Sequence, residues 1–186
     1  DELLISKEKV ELSATICKTD LISEIVGEFP ELQGIMGSYL SEVQGFDKEI
    51  VDAIKEQYLP IGPDSAVPKK PFSITLSLAD RVDTLTGFYG VNEKPSSSKD
   101  PYALRRVALG IIRIIIENKK DIKINDLFSY SSNIYLDQGF KFSNDKLIKE
   151  ISSFLKERFK YYLKEKNIRH DIIEAATKFL DLNKIS

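Results

Sequence analysis

Three aspartates and a run of cations are the residues in this chain whose types and spacing could do chemistry. Asp20 in CKTDL, and Asp80 and Asp83 in SLADRVD, each stand among apolar residues. Carboxylates so placed can serve as an acid/base set or as an oxygen-only metal site. The favoured reading is that the same side chains cap neighbouring backbone or pair with Lys18, Arg81 or Arg105. Lys94, Lys99, Arg105 and Arg106 bracket a serine-rich loop, KPSSSKDPYALRR, that leads into a helix start. Free amides at a helix N-terminus, with cations nearby, suit an anion such as an RNA phosphate. The competing structural reading has Asp100 capping that helix and an arginine paired with Asp80 or Asp83.

Other chemistries find little support. There is no glycine loop of the Walker or dinucleotide kind. Histidine-based triads and metal sites need more imidazoles than this chain has, since His170 is its one histidine. His170 stands beside Asp171 near a helix start, where an exposed or capping role is expected. Cys17 lies among Leu12, Ile16 and Leu21, which predicts a buried thiol; a lone cysteine excludes an internal disulfide and fits a reducing compartment.

The elements that must position these residues read as helices. From Phe72, apolar residues at Leu76, Ala79, Val82, Leu85 and Tyr89 recur three or four apart, with a stop expected at Gly90 as a left-handed cap. Asp80, Asp83 and Gly87 share another face. The next helix is expected to open at Asp100-Pro101 and to bury Leu104, Val107, Ala108, Ile111 and Ile115. Arg106, Gly110 and Arg113 form a second stripe on it. Upstream, helices are predicted over 6–18 (Val10, Ala14 and Cys17 inward), over 21–27 through Leu21, Ile25 and Val26, over 30–45, and from an Asp47 cap to Leu59. Gly34 and Gly37, expected inside the third of these, mark close backbone approach. Residues 60–71 hold four of the seven prolines and read as a loop. Past Asn118 a short turn is expected at 125–130 and irregular chain to Phe142. A long helix then runs from a Ser143 cap to about Lys166, with a lysine-rich outer face. The last helix is expected from Arg169 to Leu182, with Ile172, Ala176, Phe179 and Leu180 inward.

The fold class is therefore all-α. At 186 residues with 42% hydrophobic and 30% charged side chains, the chain suits one soluble domain with a helical extension. No apolar run reaches membrane-spanning length. Net charge is −2, but residues 1–71 carry 14 acidic and 7 basic side chains, whereas 72–186 carry 15 and 20. A basic half matters more to an RNA partner than the total does, although a solvated lysine-rich surface gives the same count. The one methionine is Met36 and the first residue is Asp1, in mid-helical pattern, so a segment of a longer protein is expected.

Five blocks resemble a known family: GEFPELQGIMGSY (27–39), AIKEQYLP (53–60), LADRVDTLTGFYG (78–90), KPSSSKDPYALRRVALGIIRIIIE (94–117) and FLKERFKYYLKEKNIRHDIIEAA (154–176). In this order they are similar to the central part of the bacterial glycyl-tRNA synthetase beta subunit. The resemblance implies an alpha/beta ligase that joins glycine to its tRNA. ATP and Mg are used at the alpha subunit, and no cofactor is expected in this segment. It implies a cytoplasmic protein whose partners are the alpha subunit and tRNA, with neither DNA nor membrane.

It also implies a helical bundle related to the His-Asp (HD) phosphohydrolase fold over residues 1–118, with a helical extension over 119–186. The metal motif of that fold falls at Thr19, Asp20, Gln57 and Asp80. Thr19 stands where a histidine is expected, and family members commonly carry histidine at the position of Gln57. Without imidazoles the site loses most of its ligands, so no catalytic residue and no metal are expected. Lys94, Lys99, Arg105, Arg106 and Arg113 are the candidate tRNA contacts. The alternatives are a metal-dependent phosphohydrolase using Asp20, Asp80 and Asp83, and a purely structural spacer.

Overall fold

The structure, a computed structural model, describes residues 5–178, and among them there are nine α-helices, short 3-10 turns and no strand. The all-α expectation holds. The chain forms two compact units, one up to Asp80 and one from Arg81 onward, so the division falls inside a helix.

The first unit begins with α1 (Lys7–Ile16), opened by Ser6, whose hydroxyl accepts from the Lys9 amide. A 3-10 turn, Thr19–Ile22, leads to the one-turn helix α2 (Glu24–Glu28). Helix α3 (Ile35–Val43) and helix α4 (Lys48–Glu56) then pack on each other, and α1 packs on α4. Cys17, Ile50, Ala53, Ile54, Phe72 and Leu76 form the core, with Val10 against it. Each fully buried aliphatic side chain here contributes about 1.5–3 kcal/mol.

Several sequence expectations change here. The segment 30–45 is a 3-10 turn at Pro30–Leu32 and then α3, because Gly34 takes a positive φ of 79° and stands outside the helix as its first cap. A Cβ at Gly34 would lie 3.0 Å from the Tyr58 ring and 3.2 Å from the Ile54 carbonyl. A Cβ at Gly37 would lie 3.0 Å from Ile54 Cγ2, so both glycines do mark close approach. On α1 the buried position is Ser13 and Ala14 is exposed. Of the residues through which the second helix was expected to run, Leu21 and Ile25 are exposed and Val26 is buried.

Helix α5 (Pro71–Gly90) gives its first half to the first unit and its second half to the other. It ends at Gly90 as expected, but the left-handed residue is Asn92. Gly90 is needed for space, since a Cβ there would meet the Phe142 ring at 3.0 Å. Of its apolar stripe, Ala79 is exposed, while Ser73, Ser77 and Thr86 are buried.

In the second unit, α6 (Leu104–Glu117) starts three residues later than the Asp100-Pro101 signal, after a turn in which Ala103 is left-handed. Leu104, Ala108, Ile111 and Ile115 are buried as expected. Residues 124–137 form a full helix, α7 (Ile124–Asp137), where only a short turn was expected. Its buried face is Ile124, Phe128, Ser131 and Ser132, too polar to show as an apolar stripe. Ser132 is accommodated by donating to the Ser129 carbonyl and the Asn144 side chain. Helix α8 (Asn144–Glu165) is capped by Ser143 and buries Leu147, Ile151, Phe154, Leu155 and Phe159. Helices α6, α7 and α9 (His170–Lys178) all pack on α8. The expected inward residues Phe179 and Leu180, and the end at Leu182, lie outside the described residues.

Candidate nucleic-acid interface

The candidate cations sit in the second unit, between the end of α5 and the middle of α6. The loop that carries them is closed on itself. The Ser96 amide donates to the Lys99 carbonyl (2.9 Å), and the Lys99 amide donates to the Ser96 hydroxyl (3.1 Å). Asp100 then reaches forward, its two carboxylate oxygens accepting from the amides of Leu104 (2.8 Å) and Arg105 (3.0 Å). A carboxylate at this position satisfies the first amides of α6 and interacts favourably with the helix dipole. The anion place at this N-terminus is thus filled from within the chain.

The five candidate cations have different surroundings. Lys94 is half-buried, pairs with Glu150 (2.7 Å) and lies 5.8 Å from the centre of the Tyr89 ring. Arg105 donates to the Ser96 carbonyl and lies 3.7 Å from the Asp100 carboxylate. Its partner is therefore Asp100, where Asp80 or Asp83 was anticipated. Arg113 is 6% exposed, and its Nε donates to Glu117 one turn on (2.7 Å). Gly110 faces Arg81, leaving no room for a Cβ beside that guanidinium. Lys99 and Arg106 are exposed.

Between these two in sequence lies Tyr102, which the sequence reading did not single out. Its ring stacks on Phe88 of α5 at 4.1 Å, with 25° between planes, and it remains partly exposed. An aromatic residue flanked by exposed cations was the available signal.

The carboxylate positions lie elsewhere in the chain and are built into its framework. Asp20 is fully buried, and its Oδ2 accepts from the amides of Gly34 (2.7 Å) and Gly37 (3.0 Å) at the start of α3. Among the described residues, its buried Oδ1 has no hydrogen-bond partner, and Asp20 pairs with no arginine or lysine; it caps backbone. Lys18 pairs instead with Asp80, at 2.5 Å. The Thr19 hydroxyl donates to the Ile16 carbonyl (2.8 Å), and Gln57 Nε2 donates to the carbonyls of Cys17 (2.6 Å) and Ile54 (3.0 Å). In the second unit, Asp83 accepts from the Tyr135 hydroxyl (3.0 Å).

These donors do not fit a divalent ion. An ammonium already answers Asp80, two amides answer one oxygen of Asp20, and Gln57 turns its NH₂ toward carbonyls. Among the described residues, no three histidine, cysteine, aspartate or glutamate side chains gather where they could hold a metal. Cys17 is buried, and burial together with the nearby Asp80 pushes its thiol pKa up, the opposite of an activated nucleophile. His170 is exposed at the start of α9, and Asp171 pairs with Arg169 (2.7 Å). Among the described residues, no helix is long and apolar enough to cross a membrane.

Comparison with known proteins adds to this geometry. The family model described as glycyl-tRNA synthetase beta subunit matches residues 1–178. A glycine–tRNA ligase beta subunit from Rickettsia canadensis is 51% identical over 172 residues, covering 92% of this chain and 24% of the relative. Those of Rhodospirillum centenum and Ruegeria sp. are each 42% identical, over 170 and 166 residues, covering 91% and 89% of this chain and 23% of each relative. The chain thus spans about a quarter of the length of the curated relatives it matches. A match running through every described residue, together with these identities, places the chain in the glycyl-tRNA synthetase beta subunit family.

Proposed function

We propose that this chain helps hold tRNA within a two-subunit, ATP-dependent ligase that joins glycine to its tRNA, and makes no bond itself. ATP and Mg act at the alpha subunit, which is the protein partner, and the assembly works in the cytoplasm. The fold derives from the His-Asp phosphohydrolase bundle, with Thr19, Asp20, Gln57 and Asp80 at the former metal positions and now used to tie loops together. Under this reading, the division at 118/119 separates that ancestral core from its helical extension.

The observation that carries the reading is the loop at 96–106. Asp100 fills the α6 N-terminus and Arg105 braces the loop, while Lys99 and Arg106 face solvent on a backbone already fixed by its own hydrogen bonds. Cations on a pre-ordered loop bind phosphate at little ordering cost. Tyr102, backed by Phe88, adds a face on which an unpaired base can stack. Lys94 and Arg113, already paired with carboxylates, keep the loop and α6 in place.

Crosslinking the assembled enzyme to its tRNA, read at peptide resolution, tests this. Adducts are expected on the peptides holding Lys99, Tyr102 and Arg106. Adducts elsewhere in the enzyme with none between 94 and 113 would leave this segment as a spacer.

A further inference from the structure

The first unit carries an apolar face that the tRNA reading does not use. Ile22 is 90% exposed and Val43 is 88% exposed, extreme values for aliphatic side chains. Ile22 and Leu40 line one groove of about 320 Å³ together with Ile16 and Phe46, its polar wall being Thr19, Ser23, Ser41 and Gln44. The groove lies between the 3-10 turn at 19–22 and the C-terminal half of α3. Ile25 on α2 and Phe29 just after it are also exposed, and they add apolar surface to the segment that follows the 3-10 turn. Exposed apolar surface of this kind marks an interaction surface.

Charge narrows the partner. Residues 11–47 contain Glu11, Glu24, Glu28, Glu31, Glu42 and Asp47 as exposed acids, and the one basic side chain among them is Lys18. Lys18 is engaged by Asp80. Glu11 is held by Lys7 and Asp47 by Lys9, so the carboxylates that frame the groove are Glu24 and Glu42, each next in sequence to a groove residue, Ser23 and Ser41. Such a frame repels a phosphate backbone, and it also repels a second copy of the same face. It attracts a protein surface of opposite charge with apolar side chains at its centre.

We propose that this groove is the docking site for a protein helix bearing aliphatic side chains at helical spacing, flanked by lysines and arginines. An aliphatic anchor enters between Ile22 and Leu40, a second rests on Val43, and the basic flanks meet Glu24 and Glu42. This is the helix-in-groove mode, in which area gives affinity and the charged rim gives orientation. The inference is independent of the tRNA reading, because it concerns the acidic unit and a protein partner.

The test titrates the full chain into a labelled peptide of leucine and lysine patterned as an amphipathic helix, with a leucine/glutamate peptide of the same pattern as control. Anisotropy should show the leucine/lysine peptide binding and the control binding at least roughly tenfold more weakly. The double substitution Ile22→Ser with Val43→Ser changes no charge and removes two exposed side chains, so folding, followed by circular dichroism, should be unaffected. It should weaken the leucine/lysine peptide by roughly tenfold. Unchanged affinity in that variant would reduce the binding to non-specific charge attraction and overturn the proposal. So would an absence of binding to the unsubstituted chain. A chain-concentration-dependent dimer that the same substitutions abolish, and that the peptide does not displace, would instead assign the face to a second copy. Throughout, tRNA affinity is expected to be insensitive to these substitutions.

Discussion

Two aspartates hold helix starts in this chain, and they reach them over very different distances. Asp100 satisfies the amides of Leu104 and Arg105, four and five residues ahead in the same loop. Asp20 satisfies the amides of Gly34 and Gly37, fourteen and seventeen residues ahead, and is fully buried. The local cap sits near the exposed Lys99 and Arg106 and keeps the 96–106 loop in shape. The remote cap fixes how the 19–22 turn meets α3, within the core of the first unit. A carboxylate of one chemical type thus shapes a surface loop in one unit and the core in the other. The difference lies in what surrounds it.

That contrast can be broken by substitution. Asp20→Ala leaves two buried amides without an acceptor, and charge-assisted bonds of this kind contribute about 1.5–3 kcal/mol each. A loss of about 3 kcal/mol or more in urea unfolding is expected, against about 1 kcal/mol for Asp100→Ala, which removes a partly exposed cap. Equal losses would mean that Asp20 is no more structural than Asp100. Gly110→Ala would drive a methyl group into the Arg81 guanidinium. Overpacking at such a site costs about 1–3 kcal/mol, and thermal melting should show it. An unchanged melting temperature would mean Arg81 can move aside.

A pH effect sharpens the picture in the second unit. Tyr135 is pushed up to about 12, by burial first and then by the Asp83 carboxylate that its hydroxyl contacts. Folded and unfolded chains hold this proton equally below the ordinary tyrosine value of 10. Above it the unfolded chain loses the proton first, so the stabilisation falls away between about pH 10 and 12. Tyr135→Phe should be slightly less stable at neutral pH, yet lose less stability across that alkaline range. Parallel pH profiles for the two proteins would contradict the assignment.

How much of this could be read from residues follows the same division between local and remote. The Ser143 cap, the stop at Gly90, the proline-rich loop and the apolar face of α6 were legible because each depends on neighbours within a turn or two. Asp100 was legible as a cap for the same reason, though an inserted turn moved the helix start to Leu104. The role of Asp20 was not, since nothing near CKTDL points to glycines in the next helix. Serine misled the reading in a consistent way. Ser13, Ser77 and Ser132 are buried because each hydroxyl finds a carbonyl, on Lys9, Leu59 and Ser129 respectively. Their polarity is cancelled by geometry that hydropathy does not see, which is why α7 was missed and Ala14 was placed inside. The candidate cations could be named from sequence but not ranked, because Glu117 and Glu150, the carboxylates that hold Arg113 and Lys94, are recognised only once the helices are packed.

The central claim is that Lys99 and Arg106 meet phosphate while the carboxylates hold the fold. It is tested most directly by the salt dependence of tRNA affinity for the assembled enzyme carrying Lys99→Ala and Arg106→Ala. Each lost phosphate contact lowers the log–log slope by roughly 0.7–0.9, so a decrease of about 1.5 is expected, with thermal stability unchanged. A slope identical to that of the unsubstituted enzyme would contradict the account.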